Sequence, residues 1–185
     1  MFDSTNSKFV SIENLISYEQ EQNISPSALT NFQNESRALV DFLNNQSHAE
    51  SVLSVSKTFL LVTLDYKEVL GFFSISTNSI DRNGIRYHGM PYPDVPAALI
   101  GRLGRSSKHV KQGIGELLLF ESLKNIVSIS DLIGIKVIIT DAKDNKAQDF
   151  YMKYGFKAVR GQTAGQFPFK LYLIIDTAKE AVAKY

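Results

Sequence analysis

The sequence predicts an α/β fold, and three observations carry that prediction. Thr58-Phe-Leu-Leu-Val-Thr-Leu and Val69-Leu-Gly-Phe-Phe-Ser-Ile-Ser are rich in β-branched and aromatic residues and flank Asp65-Tyr-Lys-Glu, the pattern of an antiparallel hairpin. Residues 97–120 pass from a short apolar run through a basic, glycine-bearing turn into helical periodicity, which reads as strand, loop and helix start. Beyond that helix, Ile135 to Thr140 is a short apolar run of the kind found in a central or parallel strand.

In chain order, residues 11–46 read as polar-rich covering helices broken at Ser25-Pro26-Ser27, with Leu39, Val40 and Leu43 at helical spacing. The hairpin follows. Residues 81–96, with Gly84, Gly89, Pro91, Pro93 and Pro96, read as a loop leading into a strand at 97–104. A helix from Gly113 to about Ser130 places Ile114, Leu118, Leu119, Leu123, Ile126 and Ile129 on one side and Glu121, Lys124, Ser128 and Asp131 on the other. Asp144 suits the cap of a last helix with a stripe of Ala147, Phe150, Tyr151 and Tyr154, and Gly155 suits its stop. Phe156 to Arg160 and Leu171 to Ile175 close the chain as strands.

At 185 residues and 44% hydrophobic, the chain has the size and the apolar content for a single domain, 1–185, with a substantial core. The absence of cysteine excludes disulfides, thiolate metal sites and a cysteine-acyl intermediate. The opening Met-Phe-Asp-Ser-Thr-Asn-Ser-Lys lacks a basic-then-apolar leader, and no run of about 18 apolar residues occurs, so a cytoplasmic protein is expected.

Net charge is only +1, but its distribution is uneven. Between Arg82 and Lys111 six basic residues face one acid, Asp94, a net +5 that leaves −4 for the rest. A basic centre in an acidic body suits a phosphate-bearing ligand, a nucleic acid or both, although Arg82 and Arg86 equally suit a solvated loop.

The strand-to-helix turn is the best placed feature for chemistry. A helix start presents unpaired N–H groups and the positive end of the macrodipole, and glycine lets a phosphate come close to them. Gly113 and Gly115 lack a Cβ, and Arg105, Lys108 and Lys111 add positive charge just before the helix. On these residues alone, a diphosphate site and an ordinary strand-to-helix turn stand level.

Val110-Lys111-Gln112-Gly113-Ile114-Gly115 resembles the Gln/Arg-x-x-Gly-x-Gly/Ala acetyl-CoA motif of the Gcn5-related N-acetyltransferases, with valine in place of the usual Gln or Arg. Their second signature, Asn-x-x-Ala-x-x-Phe/Leu-Tyr before Gly-Phe, is matched by Asp144-Asn-Lys-Ala147-Gln-Asp-Phe150-Tyr151 before Gly155-Phe156, with only Asp144 departing. Within that family the chain is most similar to the acetyltransferase toxins of toxin–antitoxin pairs. The shared marks are Leu39-Val-Asp-Phe-Leu43, Gly71-Phe-Phe-Ser-Ile-Ser, Asp94-Val-Pro96, Ile100-Gly-Arg-Leu103 and Asp141-Ala-Lys143.

The resemblance implies a mixed, mostly antiparallel sheet with helices on both faces and a first helical pair lining the acceptor cleft. It implies acetyl-CoA as co-substrate, no metal, and a cofactor-binding set of Leu103, Gly104, Arg105, Lys111, Gln112, Gly113, Ile114, Gly115 and Asp144. Backbone groups of Leu103, Gly104 and Arg105 would pair with the pantetheine arm, and an amide near Leu103 is the candidate for the oxyanion. Tyr151 falls at the general-acid position, whereas spacing alone would leave it in a core stripe with Phe150 and Tyr154. Arg82 and Arg86 are the candidates for the acceptor's phosphates.

No general base stands out, since His48, His88 and His109 each read as single surface histidines. An α-amine titrates near 8 and a lysine amine near 10.4, so the lack of a base favours an α-amino acceptor. Aminoacyl-tRNA is the favoured acceptor, with an antitoxin protein and a homodimeric partner also implied and no membrane. A small amine or protein N-terminus, or a non-catalytic acetyl-CoA-binding module, are the alternatives.

Overall fold

The computed structural model describes residues 6–86, 89 and 91–185. Seven strands lie among them: β1 (Ser7–Ser11), β2 (Lys57–Thr63), β3 (Val69–Asp81), β4 (Asp94–Arg105), β5 (Val137–Ala142), β6 (Lys157–Ala158) and β7 (Phe169–Ile174). The helices are α1 (Ile12–Glu21), α2 (Arg37–Asn45), α3 (Ser47–Val52), α4 (Ile114–Ser130), α5 (Asn145–Lys153) and α6 (Ile175–Lys184). The strands form one sheet in the order β1-β2-β3-β4-β5-β7-β6. β4 and β5 run parallel, whereas β1–β2, β2–β3, β5–β7 and β6–β7 are antiparallel, which is the mixed, mostly antiparallel sheet expected. No helix among the described residues is long and apolar enough to cross a membrane.

The chain divides into two compact units, Met1–Ile75 with Arg102–Ser122 and Ser76–Gly101 with Leu123–Tyr185. In the first, the β2–β3 hairpin presents alternate residues to two apolar layers. Leu60, Val62 and Phe72 pack with Ile12 and Leu15 of α1 and Phe42 and Leu43 of α2. Leu61 and Phe73 pack instead with Ile114 and Leu118 of α4. Ser11 caps α1 by accepting from the Asn14 amide at 3.1 Å, and buried Glu19 accepts from the Ala28 amide at 2.7 Å, which secures the loop that follows α1.

Gly71 marks the closest approach in this unit. A Cβ there would stand 2.7 Å from Leu118 Cδ1 and 3.0 Å from the Gly104 carbonyl oxygen, so any side chain would push β3 off its neighbours.

In the second unit, β5 is flanked by β4 through Ala97↔Val137 to Ile100↔Thr140 and by β7 through Val137↔Ile174 to Ala142↔Phe169. Val95, Ala97, Val137, Ile139 and Tyr172 form its core with Ile80 and Ile85. Asp144 caps α5, accepting from the Ala147 amide at 2.8 Å, and Gly155 ends it at φ +88°.

Several expectations are corrected. The loop at 81–96 is shorter, because β3 runs on to Asp81, a 3₁₀ turn occupies Arg82–Gly84, and β4 begins at Asp94. The chain closes with a helix, α6, since Ile175 starts α6 instead of ending a strand. Ile129 is 37% exposed although the periodicity puts it on the buried side, because α4 has by then reached its last turn. Phe150 and Tyr154 are half-buried and meet edge to face at 5.2 Å, so Tyr151 is the one buried member of the expected core stripe.

Candidate functional site

The strand-to-helix turn belongs to the first unit. Beyond β4, Ser106 caps a short 3₁₀ turn, Ser107–His109, and the chain reaches α4 through two left-handed residues, Lys111 at φ +63° and Gly113 at φ +85°. The first intrahelical bond of α4 runs from the Leu117 amide to the Gly113 carbonyl at 3.1 Å, so the amides of Ile114, Gly115 and Glu116 precede it without a helical acceptor. A Cβ on Gly113 would meet nothing within 4 Å, so the space beside this backbone is open. Left-handed residues spaced in this way let amides converge on an anion. The residues present therefore fit a diphosphate.

The cations around the turn differ in their freedom. Lys111 is exposed and Gln112 half-buried. Arg105 is half-buried and donates from Nη1 to the Ser106 carbonyl at 3.3 Å. Lys108 suits a phosphate by its place in the sequence, yet its Nζ lies 3.6 Å from Glu68 Oε1, which also stands 3.2 Å from His109 Nε2. Glu68, from the end of the hairpin turn, thus counters part of the local positive charge and holds the 3₁₀ turn. His109 is accordingly a paired, half-buried side chain, whereas His48 is exposed on α3 and His88 lies outside the described residues.

Leu103, half-buried, joins the apolar layer of Ile114 and Leu118. Gly104 is buried, and a Cβ there would stand 3.0 Å from Leu39 Cδ1 and 3.3 Å from Phe72 Cε1. The end of β4 is tied to the segment before α2, where Asn34 Nδ2 donates to the Arg105 carbonyl at 2.8 Å and the Ser107 amide donates to the Gln33 carbonyl at 2.7 Å. The ladder of β4 to β5 ends at Ile100↔Thr140, so Gly101 to Arg105 run on beyond it.

Tyr151 lies in the second unit, 6% exposed, with its ring against Phe150 at 5.2 Å and Phe156 at 5.3 Å. The Thr140 hydroxyl donates to the Ile100 carbonyl at 3.0 Å. Burial pushes the Tyr151 phenol above its ordinary value, against an opposing pull from Thr140. The group is therefore held protonated throughout the physiological range, the form able to give a proton. Asp144 uses its carboxylate in capping α5.

Arg82 and Arg86 are both exposed. Their backbone is pinned, with the Arg82 amide donating to the Pro93 carbonyl at 2.8 Å and the Arg86 amide to the Tyr172 hydroxyl at 3.0 Å. Arg160, which no sequence pattern singles out, donates its amide to the Gly84 carbonyl at 2.8 Å and is exposed beside the same turn. The register of β6 on β7, Lys157↔Tyr172, brings these distant segments together. Among the described residues no cluster of three His, Asp or Glu side chains could hold a metal ion.

No family model matches the sequence. The chain is 30% identical over 157 residues to the tRNA-acetylating toxin of Mycobacterium tuberculosis, which spans 83% of this chain and 90% of that protein. It is 27% identical over 139 residues to the probable toxin TacT of Sinorhizobium fredii, 66% of this chain and 71% of that protein. Its fold matches a crystal structure of a mutant of KacT at a TM-score of 0.83 and 20% identity, covering 95% of this chain and 99% of the other. It also matches AtaT complexed with acetyl-methionyl-tRNA, at 0.80 and 18% over 95% and 99% of the two chains. A mutant AtaT bound to the C-terminus of the antitoxin AtaR and acetyl-CoA matches at 0.74 and 18%, over 95% and 98%.

Proposed function

We infer that this chain, which belongs to the family of the tRNA-acetylating toxins, acetyltransferases of the Gcn5-related type, moves an acetyl group from acetyl-CoA to the amino group of an aminoacyl-tRNA. The observation that carries this reading is the 30% identity to a tRNA-acetylating toxin across 90% of that toxin's length. Residues 1–185 act in it as one cytoplasmic acetyltransferase domain, held in check by an antitoxin protein as the AtaT likeness suggests.

The amides of Gly113, Ile114 and Gly115 hold the diphosphate, with the exposed Lys111 beside them and Gln112 between the two left-handed residues. Leu103, Gly104 and Arg105 offer backbone groups to the pantetheine arm, and an amide near Leu103 donates to the carbonyl oxygen as it gains charge. When bound, acetyl-CoA supplies the acetyl group as an activated thioester. Tyr151, kept protonated by burial, gives its proton to the departing sulfur as the amine nitrogen bonds to the carbonyl carbon. Asp144 sets α5, and with it Tyr151, by capping the helix. Arg82 and Arg86 meet the acceptor's phosphates, and their basic surface is extended by Arg160.

The free α-amine of an amino acid whose carboxyl is esterified to tRNA titrates near 8, so a large share is neutral there and the lack of an evident base agrees with this acceptor. The test is acetyl transfer by the purified protein from labelled acetyl-CoA to charged tRNA at low salt, beside free amino acids and a polyamine. Efficient acetylation of charged tRNA is expected. Efficient acetylation of the free amines with charged tRNA ignored would assign the chain to small-molecule chemistry instead.

A further inference from the structure

The loop that carries the proposed diphosphate site is sewn to the segment ahead of α2 by one side chain. Asn34 is half-buried, and both ends of its carboxamide are in use. Its Oδ1 accepts from the Ser36 amide at 2.7 Å, which orders the entry to α2, a helix whose own N-cap residue, Ser36, makes no side-chain capping bond. Its Nδ2 reaches across 71 residues of sequence to the Arg105 carbonyl at 2.8 Å, on the last residue of β4. A second bond crosses the same seam in the opposite sense, from the Ser107 amide to the Gln33 carbonyl at 2.7 Å. On the other side the Ser106 amide donates to the Leu70 carbonyl at 2.8 Å, so the chain between β4 and α4 is anchored at three successive residues.

We propose that Asn34 is a positioning residue that fixes the end of β4 for the cofactor and couples α2 to it. The proposal rests on the acetyltransferase reading and adds to it a residue with no chemistry of its own. Arg105 closes the short stretch whose backbone meets the pantetheine arm, and its carbonyl direction sets the peptide plane shared with Ser106. The Asn34 donor holds one end of that plane and the Leu70 carbonyl, accepting from the Ser106 amide, holds the other. The same carboxamide accepts at the entry to α2, whose Leu39 Cδ1 would stand 3.0 Å from a Cβ on Gly104. Ordering of one end therefore reaches the other through the Asn34 carboxamide, beside the backbone bond from Ser107 to Gln33.

The two ends separate by substitution. Asn34→Asp keeps an acceptor for the Ser36 amide but sets a carboxylate oxygen against the Arg105 carbonyl, while Asn34→Ala removes both bonds. Because the end of β4 is then no longer held for the cofactor, Asn34→Asp is expected to raise Kd and KM for acetyl-CoA roughly tenfold, about 1.4 kcal/mol of binding free energy. Its KM for charged tRNA stays near the parent's and its melting temperature falls by about a few degrees, while Asn34→Ala raises both KM values. Parental acetyl-CoA affinity in a folded Asn34→Asp protein would overturn the proposal.

Where the aspartate variant fails to fold, hydrogen exchange in the parent decides. The Ser36 and Ser107 amides gain protection when acetyl-CoA is added, and unchanged protection at both with the cofactor bound would overturn the coupling. A parent that neither binds acetyl-CoA nor acetylates charged tRNA would instead sink the functional reading, and is recognised before any variant is made.

Discussion

Thr140 stands opposite Ile100 on the last rung of the parallel β4–β5 ladder, and its hydroxyl donates to the Ile100 carbonyl at 3.0 Å. The Thr140 side chain also opposes the burial that raises the Tyr151 phenol, so the tyrosine's titration is tied to the end of that ladder. Thr140→Val keeps the shape and removes the donor to Ile100. A stability loss of about 0.5–1.5 kcal/mol is expected for the lost hydrogen bond, read by urea unfolding, with a smaller fall in turnover than removal of the tyrosine hydroxyl gives.

Tyr151→Phe should retain the fold and the acetyl-CoA affinity while turnover falls by on the order of a hundredfold or more, as for loss of a positioned proton donor. Steady-state kinetics on charged tRNA read this directly. Unchanged turnover in the folded variant would return Tyr151 to a packing role.

The raised Tyr151 phenol also has a thermodynamic signature. Above about pH 10 the unfolded chain releases this proton while the folded chain retains it, so a rising pH favours unfolding. The contribution is fully present below the unfolded value and is lost as pH climbs through the folded one. Urea unfolding from pH 8 to pH 11 should show the parent losing more stability than Tyr151→Phe, in which every other titrating group is unchanged.

Gly113→Asp should cost about 1–3 kcal/mol of stability from a non-glycine residue at φ +85°, since its Cβ meets no neighbour. Its effect on acetyl-CoA is far larger, because a carboxylate would stand where the diphosphate belongs. Calorimetry should find no measurable binding, and parental affinity would displace the site.

Gly71→Ala tests packing alone. Its Cβ would fall 3.0 Å from a backbone oxygen that cannot step aside, so a loss of about 1–3 kcal/mol is expected in the urea midpoint.

Replacing Arg82, Arg86 and Arg160 with Glu, singly and together, should raise KM for charged tRNA while leaving acetyl-CoA affinity near the parent's. For every tRNA phosphate that is no longer neutralised, the salt slope of binding should fall by about one. If Arg160→Glu behaves as the parent while the other two do not, the basic surface stops short of β6.

Local chemistry makes much of the frame readable. Gly113 at a helix start, Asp144 as a cap and Gly155 as a stop stand where the sequence places them, because each acts on its own few residues of backbone. β1 and α3 escape a reading of the sequence because five and six residues carry too little periodicity. The end of β3, Thr-Asn-Ser-Ile-Asp, is largely exposed and lacks the apolar signal of its first half. α6 begins at Ile175, where the apolar run of β7 continues unbroken and no side chain caps the turn, so the change of periodicity is hidden. The partners of the candidate site are illegible for another reason. Glu68 meets His109 across 41 residues and Asn34 meets Arg105 across 71, and Arg160 joins Arg82 only through the β6–β7 register.

The two-residue strand β6 at one margin of the sheet has a bearing on how this protein survives at high concentration. A margin that short offers a newcomer only one or two free peptide groups, and exposed Lys157 places a charge on it. Molecules crowded together during synthesis thus find no long ribbon there on which to stack, and fibril growth from that side has no template. Lengthening β6 with apolar residues would add pairing within the fold and, by the same addition, open a route to insoluble material.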